Sequence, residues 1–414
     1  MSKLDELINE LCPEGVEYRY LWEITSWDKK FNAVDNYKQP KVIKYHYLLA
    51  NELKPMVVEY GNVKILTTNT SDIYTSEELA IEKLSNGEVV AIPWGGNPNV
   101  QYYKGKFLTA DNRIATSNDI SKLCNKFLYY FMLNNLVLIG SFYRGSGIKH
   151  PSMKDVLDMQ IPIPPIKVQE EIVRILDTFT ELTAELTAEL TARKKQYNYY
   201  LDKLLTFEDG EVEWKLLKEI GEFTYGYAAK AQESGDARFV RITDINTNGK
   251  LIPIDSKFVD ISKGNESYIL KKNDLLMART GATYGKTMIF DEDYPAIYAG
   301  FLIKLSFPEK LINPKYYWHF SQSDLFWYQA NKLVSGGGQP QFNANALKEV
   351  KFPIPYPNDP ELSLNEQERI VSLLDKFDDL TSSITKGLPR EIELRQKQYE
   401  YYRNMLLSFP KEEI

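Results

Sequence analysis

Cysteine and histidine are scarce in this chain, which has two cysteines and three histidines among 414 residues. Two thiols, Cys12 and Cys124, cannot build a disulfide framework, and they suit a reducing compartment. Three histidines argue against a metal site built from imidazole ligands. We therefore expect neither a metal site nor a disulfide bond.

Long apolar runs are also lacking. A membrane-spanning helix needs about 18 consecutive apolar residues, and no segment approaches that length. Residues 1–6 are acidic and lack the apolar stretch of a secretion signal. These features predict a cytoplasmic protein that has no membrane partner.

Catalytic signatures are missing from the sequence as well. Metal-dependent nucleases need converging carboxylates, and methyl transfer needs a glycine-rich cofactor loop. We find neither pattern. Residues 278–287 end in Gly-Lys-Thr, but a phosphate-binding P-loop would need glycine where Thr280 stands. The sequence therefore predicts no catalytic residue and no cofactor in this chain.

The acidic balance of the chain is unevenly distributed. The formal net charge of −7 is unfavourable for binding nucleic acid. Residues 16–160 carry 17 Lys/Arg and 15 Asp/Glu, and residues 212–352 carry 18 and 16, so each block is net +2. Residues 353–414 carry 8 and 12, a net charge of −4. Two mildly basic blocks permit a basic binding face without demonstrating one.

What the chain does contain is an internal repeat, spaced by about two hundred residues. The repeat has four parts: Val-Glu-aromatic at 16–18 and 212–214, a proline block at 161–164 and 352–355, Gln-Glu followed by Leu-Asp-x-Phe at 169–179 and 367–377, and Gln-Tyr-x-Tyr-Tyr at 196–200 and 398–402. Such repetition predicts a tandem duplication. We divide the chain into an N-terminal helical segment at 1–15, globular domains at 16–160 and 212–352, and helical segments at 161–207 and 353–414.

The two helical segments carry apolar residues every three or four positions, which is typical of amphipathic helices. The central segment repeats Glu-Leu-Thr-Ala from residue 181, whereas Gly387 and Pro389 interrupt the distal one. Matching stripes predict an antiparallel coiled coil, and two unrelated surface helices are the alternative. The residues predicted to make the helical contacts are Gln169, Leu176, Phe179, Leu182, Leu186, Leu190, Tyr197, Tyr200, Gln367, Leu374, Phe377, Tyr399 and Tyr402.

The globular domains contain short apolar runs bounded by turn residues, which predict strands at 89–92, 275–278, 297–298 and 301–305. Aromatic-rich segments at 126–138 and 314–333 predict helices. The fold class is therefore α+β, in which two similar α/β domains alternate with two long helical segments in a pseudo-twofold repeat.

Each globular domain also carries two glycine-containing loops, at 93–97 and 144–150 in the first and at 278–287 and 336–341 in the second. Glycine permits positive φ and close approach to another molecule, such as a phosphodiester backbone, although ordinary tight turns are the alternative. Arginine pairs with guanine, and glutamine or asparagine with adenine. The predicted DNA-binding residues are Lys104, Lys106, Arg113, Arg144, Ser146, Lys149, Arg279, Thr280, Tyr284, Lys286, Gln339, Gln341 and Asn343.

The repeated blocks resemble the specificity subunits of type I restriction-modification systems, and the tetrapeptide repeat is similar to that of the type IC branch. The resemblance implies a prokaryotic protein whose globular domains are target recognition domains, each reading one part of a bipartite double-stranded DNA sequence. It also implies that the helical segments set the spacer and bind two modification subunits, which carry S-adenosylmethionine. Two restriction subunits, which use ATP and Mg²⁺, would join that core.

Two other classes of function remain open from the residues alone. The first is a coiled-coil adaptor that does not read DNA, and the second is a self-contained DNA-modifying enzyme. Failure of the partner-bound complex to retain specific duplex would support the adaptor. Binding of S-adenosylmethionine or cutting of DNA by the isolated chain would support the enzyme.

Overall fold

The computed structural model describes residues 3–208, 210–336, 338–383 and 386–412. The chain divides into two compact units. Unit 1 comprises Met1–Ala184 and Leu394–Ile414, and unit 2 comprises Glu185–Glu393. Each unit therefore contains one globular domain together with parts of both helical segments.

Unit 1 alternates short helices with the strands of one main sheet. Its elements are α1 (Lys3–Leu11), β1 (Tyr18–Tyr20), α2 (Leu21–Ile24), β2 (Thr25–Trp27), α3 (Ala50–Leu53), β3 (Val63–Leu66), β4 (Tyr74–Thr75), α4 (Glu77–Ala80), β5 (Ser85–Pro93), β6 (Gln101–Thr109), β7 (Asn112–Ser117), α5 (Asn125–Asn134), α6 (Leu136–Ser141), β8 (Tyr143–Arg144), β9 (His150–Pro151), α7 (Met153–Leu157), β10 (Gln160–Pro162) and the first part of α8 (Ile166–Leu204). The six-stranded sheet has the order β2-β7-β5-β6-β3-β4. All of its pairs are antiparallel except β3 with β6.

Unit 2 also combines helices and strands, around a smaller main sheet of four strands. Its elements are the second part of α8, β11 (Val212–Leu216), α9 (Leu217–Ile220), β12 (Glu222–Tyr225), β13 (Ala237–Val240), β14 (Phe258–Val259), β15 (Leu275–Ala278), β16 (Thr287–Ile289), β17 (Ala296–Tyr298), β18 (Leu302–Ser306), α10 (Pro314–Phe320), α11 (Asp324–Leu333), α12 (Ala344–Lys348), β19 (Lys351–Pro355), α13 (Pro360–Ser382) and the first part of α14 (Leu388–Leu406). The second part of α14 belongs to unit 1. The main sheet has the order β12-β18-β15-β16. A separate sheet has the order β14-β13-β17.

In each unit, a strand at the shared Val-Glu-aromatic block pairs with a strand at the shared proline block. In unit 1, β1 lies antiparallel to β10 with Tyr18 opposite Pro162. In unit 2, β11 lies antiparallel to β19 with Trp214 opposite Pro353. These two-stranded ladders close each globular domain where its helical segment begins.

The predicted strands and long helices are present, with corrections at helix ends. Helix α8 is one continuous element of 39 residues. The first helix of the distal segment begins at Pro360, because the Asp359 side chain accepts a hydrogen bond from the Leu362 amide at 3.0 Å and caps α13. It stops at Ser382, and α14 begins directly after Gly387, which has φ +83°.

The sequence predicts one helix in each of two aromatic-rich segments, at 126–138 and 314–333. The structure has two helices in each segment. The first breaks at Asn135, which lies between α5 and α6. The second breaks between Phe320 and Asp324, where the Ser323 hydroxyl accepts from the Phe326 amide at 3.4 Å and starts α11 as a new helix. Polar side chains that compete for backbone groups explain both breaks.

The main hydrophobic core of each unit lies between the sheet and the long helices. In unit 1, Phe127 and Leu157 pack with Leu176 of α8 and with Leu406 of α14. The same core includes Leu4, so α1 packs within unit 1. In unit 2, Leu201 of α8 packs in one core with Tyr317, Phe352 and Leu374 of the globular domain and α13.

Candidate nucleic-acid interface and helical contacts

The two glycine-containing loops of unit 1 are joined by direct hydrogen bonds. The Gly96 amide donates to the Lys149 carbonyl at 2.9 Å. The His150 Nδ1 donates to the Trp94 carbonyl at 2.9 Å, and the two rings pack with centroids 4.3 Å apart. The two loops form one surface, which we call joined loops 1.

The two loops of unit 2 are joined in the same way. The Gly281 amide donates to the Pro340 carbonyl at 3.0 Å, and the Phe342 amide donates to the Arg279 carbonyl at 2.8 Å. The Gln341 side chain donates to the Thr280 hydroxyl at 2.8 Å. We call this surface joined loops 2. Gly337, which belongs to the same predicted glycine cluster, lies outside the described residues.

Glycine is required at matching positions in the second loop of each pair. Gly145 has φ +144°, and a Cβ there would lie 2.9 Å from the Ile148 carbonyl oxygen. Gly336 has φ +96°, and a Cβ there would lie 2.6 Å from the Gln339 carbonyl oxygen. Both glycines thus make a tight turn against the residue three positions later, and the turns shape a surface that is available for a ligand.

The predicted basic residues of unit 1 do not all lie at joined loops 1. Lys149 lies within the loops and is exposed, as are Arg144 and Ser146. Arg144 pairs with Asp155 at 2.9 Å. Lys104 and Lys106 lie on β6, three and five residues from its start at Gln101, which is roughly 10 and 17 Å along the strand.

The Lys104 ammonium is 3.4 Å from Glu88, and the Lys106 ammonium is 2.6 Å from Glu77. Arg113 is buried, with its guanidinium 5.5 Å from the Trp94 ring and 3.4 Å from Asp111. Burial lowers the Arg113 pKa. Arg113 therefore supports joined loops 1 from beneath.

The predicted residues of unit 2 fall into three groups. At joined loops 2, Gln339 is exposed and Arg279 and Lys286 are half-buried, and within the described part of the chain Arg279 and Lys286 form no ion pair. Asn343 instead caps α12, because its Oδ1 accepts from the amides of Asn345 and Ala346 at 3.0 and 3.1 Å.

Three further predicted residues of joined loops 2 are occupied by internal contacts. Thr280 is buried beneath the Gln341 side chain. The Tyr284 hydroxyl donates to Asn331 at 2.8 Å, and its ring packs edge-on against Trp327. These side chains stabilise the junction. Their partners are remote in sequence, so the sequence pattern does not reveal these contacts.

The repeated glutamine fastens each helical segment to its own globular domain. Gln169 is fully buried, accepts from the Cys124 amide at 2.9 Å and donates to the carbonyls of Lys122 and Pro164. Gln367 is equally buried and accepts from the Asn313 amide at 2.9 Å. Leu176 and Leu374 are also fully buried. These four side chains make contacts inside their own units.

The repeated aspartate makes a second attachment. In unit 1, Asp177 pairs with Lys126 at 2.7 Å and accepts from the Tyr130 hydroxyl at 2.6 Å. In unit 2, Asp375 pairs with Lys315 at 2.6 Å and contacts the His319 Nε2 at 2.8 Å. Both aspartates belong to the shared Leu-Asp-x-Phe block. The sequence pattern shows that the aspartate is repeated but does not indicate its role.

Burial raises the pKa of Asp375, but the hydrogen bonds from His319 and Lys315 outweigh burial and hold that pKa at about 2. The buried His319 ring has a lowered pKa, because burial disfavours the imidazolium more than Asp375 favours it. Asp375 is thus held as a carboxylate beside a neutral imidazole.

Aromatic residues join the long helices in each unit. In unit 1, the rings of Phe179 on α8 and Tyr402 on α14 stack at 5.5 Å, and Tyr399 lies 6.4 Å from Phe179. In unit 2, Phe377 on α13 stacks with Tyr200 on α8 at 5.4 Å. The shared Phe of one repeat thus meets the shared Tyr of the other, which gives the predicted antiparallel pairing.

The remaining predicted helical residues vary in exposure. Tyr197 is half-buried, and its hydroxyl lies 3.2 Å from His319 Nδ1. Leu186 and Leu190 are also half-buried, whereas Leu182 is exposed. Leu182 is therefore an apolar position of α8 that is open to solvent.

Neither a metal-binding cluster nor a membrane-spanning helix occurs in the part of the chain that the structure describes. Within residues 3–208, 210–336, 338–383 and 386–412, no three His, Cys, Asp or Glu side chains are grouped closely enough to hold a metal ion. None of the helices in those ranges has the length and apolar character needed to cross a membrane.

Two repeated units, paired loops in each and long helices shared between repeats define a duplicated α+β scaffold. A family model described as the type I restriction modification DNA specificity domain matches residues 29–193 and again residues 210–394. The chain therefore belongs to the family of type I restriction-modification specificity subunits.

Individual relatives agree with this assignment. The EcoR124I/EcoR124II specificity subunit of Escherichia coli is 35% identical, over 100% of this chain and 98% of the relative. A putative specificity subunit of Haemophilus influenzae is 37% identical over 78% of this chain and 83% of its own length. The crystal structure of an S subunit from M. genitalium covers 95% of this chain and 96% of its own, with a TM-score of 0.60 and 16% identity, and shares the fold.

Proposed function

We propose that each unit reads one half of a bipartite, asymmetric double-stranded DNA target through its joined loops. The observation that carries this proposal is that the same junction, an amide of the first loop bonded to a carbonyl of the second, occurs once in each unit. The junctions present different side chains, His150 and Lys149 in one unit and Arg279 and Gln339 in the other. Two similar frames with different surfaces suit two different half-sites.

The chemistry of modification and restriction belongs, in this proposal, to partner subunits. Two modification subunits carrying S-adenosylmethionine would bind the exposed faces of α8, α13 and α14, and two restriction subunits using ATP and Mg²⁺ would complete the complex in the prokaryotic cytoplasm. Family membership and the exposed apolar position Leu182 support this view. This chain would then supply the address and the scaffold.

The length of α8 sets, in this proposal, the number of unread base pairs between the half-sites. Each Glu-Leu-Thr-Ala unit adds four residues, or about 6 Å of helix. Two base-pair steps of about 3.4 Å have nearly that length. The repeat lies inside one unbroken helix that contributes residues to both units.

Methylome sequencing tests the proposal directly. A host expressing this chain with its modification subunit should acquire methylation at one bipartite sequence, and a host expressing the modification subunit alone should not. Methylation without a two-part target would contradict bipartite reading. Binding of S-adenosylmethionine by the isolated chain would contradict the assignment of chemistry to its partners.

A further inference from the structure

Unit 2 contains a cleft of about 690 Å³ that unites positive charge with apolar surface. Its cations are Lys230, Arg241 and Arg279, and its aromatic residues are Tyr227, Phe239 and Phe301. Among the residues that the structure describes, no Asp or Glu lines the cleft. In a chain with a net charge of −7, this composition favours an anionic occupant that also has an apolar or aromatic part.

The cleft adjoins joined loops 2 through Arg279. The Arg279 amide donates to the Phe301 carbonyl at 3.1 Å, and its Nε donates to the Gly300 carbonyl at 3.2 Å. Its own carbonyl accepts from Phe342 in the second loop. The backbone of Arg279 therefore links the two surfaces, and the guanidinium lies over the Phe301 ring at 5.3 Å.

The segment that carries Tyr227 into the cleft is fixed by backbone hydrogen bonds. The Gly226 amide donates to the Leu302 carbonyl at 3.0 Å, and the Tyr227 amide donates to the Tyr298 carbonyl at 2.9 Å. A Cβ on Gly226 would lie only 2.3 Å from the Ala299 carbonyl oxygen, so this approach requires glycine. Small side chains occupy positions 228, 229 and 231, all alanine, and leave the cleft open beside Lys230.

The cations of the cleft differ in how far they are already neutralised. Arg241 pairs with the buried Asp244 at 2.7 Å. Lys230 is exposed, and within the described part of the chain neither it nor Arg279 forms an ion pair. Phe301 is 56% exposed, so its ring is open to a ligand in the cleft. Two unneutralised cations beside an exposed ring match a phosphodiester and its adjoining nucleoside.

We propose that this cleft is a second DNA contact of unit 2: Lys230 and Arg279 hold a phosphate of the half-site that unit 2 reads, and the adjoining base or sugar lies against Phe301. The inference rests on the proposed function and extends the contact at joined loops 2, through Arg279, to Lys230 and Phe301 outside those loops. Phe239 of β13 lines the cleft, and β13 belongs to a sheet that unit 1 lacks among its described residues.

The test uses the complex of the full chain with its modification subunits and a duplex carrying the target that methylome sequencing identifies. Binding is measured over a range of salt concentrations for Lys230→Ala, Lys230→Arg and Phe301→Leu. Lys230→Ala should lower the slope of log affinity against log salt by about 0.9, the value for one lost phosphate contact. Lys230→Arg should retain the slope, and Phe301→Leu should weaken specific binding by roughly five- to 150-fold.

The control variant is Lys310→Ala, which removes an exposed lysine of the same unit outside the cleft and should leave slope and affinity unchanged. A wild-type complex that does not prefer its target duplex would overturn the proposed function itself. A wild-type complex with that preference, combined with unchanged binding by Lys230→Ala and Phe301→Leu, would overturn the cleft alone. Photocrosslinking of 5-iodouracil in the unit 2 half-site to Phe301 or Tyr227 gives a readout that does not depend on variant stability.

Discussion

The two units share a framework but differ in how their sheets are extended. In unit 1, β3 and β4 continue the main sheet beyond β6, whereas in unit 2, β13, β14 and β17 form a separate sheet. In each unit the shared blocks form a two-stranded ladder, a buried glutamine accepts a hydrogen bond from a backbone amide of the domain, and an aspartate pairs with a lysine. The repeat thus keeps the attachment of each domain to its helix and lets the remainder of the domain vary.

The joined loops likewise combine features that both units share with side chains that differ between the units. Both junctions have an amide-to-carbonyl bond and a tight glycine turn. In unit 1 the junction is packed by Trp94 and His150, whereas in unit 2 it is packed by Thr280 and Gln341. A common frame that displays different side chains is the arrangement expected if each unit reads its own sequence.

The largest effect on the DNA target is expected from shortening α8, the helix that contributes residues to both units. The loops of both units stay unchanged in this variant. Deleting residues 185–188 removes about 6 Å of α8 and rotates the C-terminal remainder of the helix by about 40° beyond a full turn. Small bends can absorb that rotation. We expect methylation of the same two half-sites with a spacer shortened by one or two base pairs, as read by methylome sequencing.

The matched control is Glu185→Gln, which alters the same segment and keeps its length. It should leave the spacer unchanged. Retention of the original spacer by an active deletion variant would refute a role for α8 in setting the spacer. Altered half-sites would instead indicate that the loops depend on this helix.

A second comparison asks whether the buried glutamines are equivalent. Gln169→Leu and Gln367→Leu each leave a backbone amide and a backbone carbonyl at the start of α5 or α10 without a hydrogen-bond partner. Each substitution should destabilise its own unit by roughly 2–5 kcal/mol, because unpaired buried polar groups keep their desolvation cost. Hydrogen exchange at Cys124 and at Asn313 should report the two losses separately.

Gln398→Leu provides the control, because Gln398 belongs to another shared block and is exposed. It should change stability by less than about 0.5 kcal/mol. A loss of protection in both units after a single glutamine substitution would show that the attachments are coupled rather than separate.

The sequence predicts the helical frame well because its signals are local and occur twice. The apolar spacing and the prolines before Ile166 predict α8 almost to its ends. Apolar runs likewise predict β5, β15, β17 and β18. The sheet extensions lack such a signal, because β3 and β4 are short and β13 pairs in parallel with the distant β17.

The sequence indicates which loops form the candidate site. It does not indicate which side chains of those loops are free to contact a ligand. Loop position derives from glycine and from the repeat, whereas availability depends on partners remote in sequence. Arg113 is covered by Trp94, and Tyr284 is held by Asn331. Asn343 had a local signal that was missed, since asparagine directly before a helical run is a preferred N-cap.

A third prediction concerns the lysines of the two joined loops. Lys149→Ala and Lys286→Ala should each lower the salt slope of target binding by about 0.9 if the lysine contacts a phosphate. A lysine that reads a base should cost ~1–3 kcal/mol and relax its own half-site only. Lys104→Ala is the comparison, because Lys104 lies on β6 beside Glu88. A slope that responds to Lys104 but not to Lys149 would place the DNA along β6.

The smallest effect is expected from the one titratable difference between the aspartate attachments. Unit 1 has Tyr130 where unit 2 has the buried His319, which faces Asp375, Asp378, Lys250 and Tyr197. Because folding lowers the His319 pKa, the unfolded chain binds a proton more readily than the folded one. The stability contributed by the neutral ring is therefore present above the usual histidine pKa of about 6.5 and declines as pH falls below it.

Hydrogen exchange of α10 between pH 7.5 and 5.5, corrected for intrinsic rates, should show this decline in the wild type. His319→Gln keeps an amide donor for Asp375 but does not titrate, so its protection should depend less on pH. His46→Gln, which removes an exposed histidine of unit 1, should behave like the wild type. If His319→Gln and the wild type lost protection in parallel, another group would have to take up the proton, and the two attachments would not differ in their response to acid.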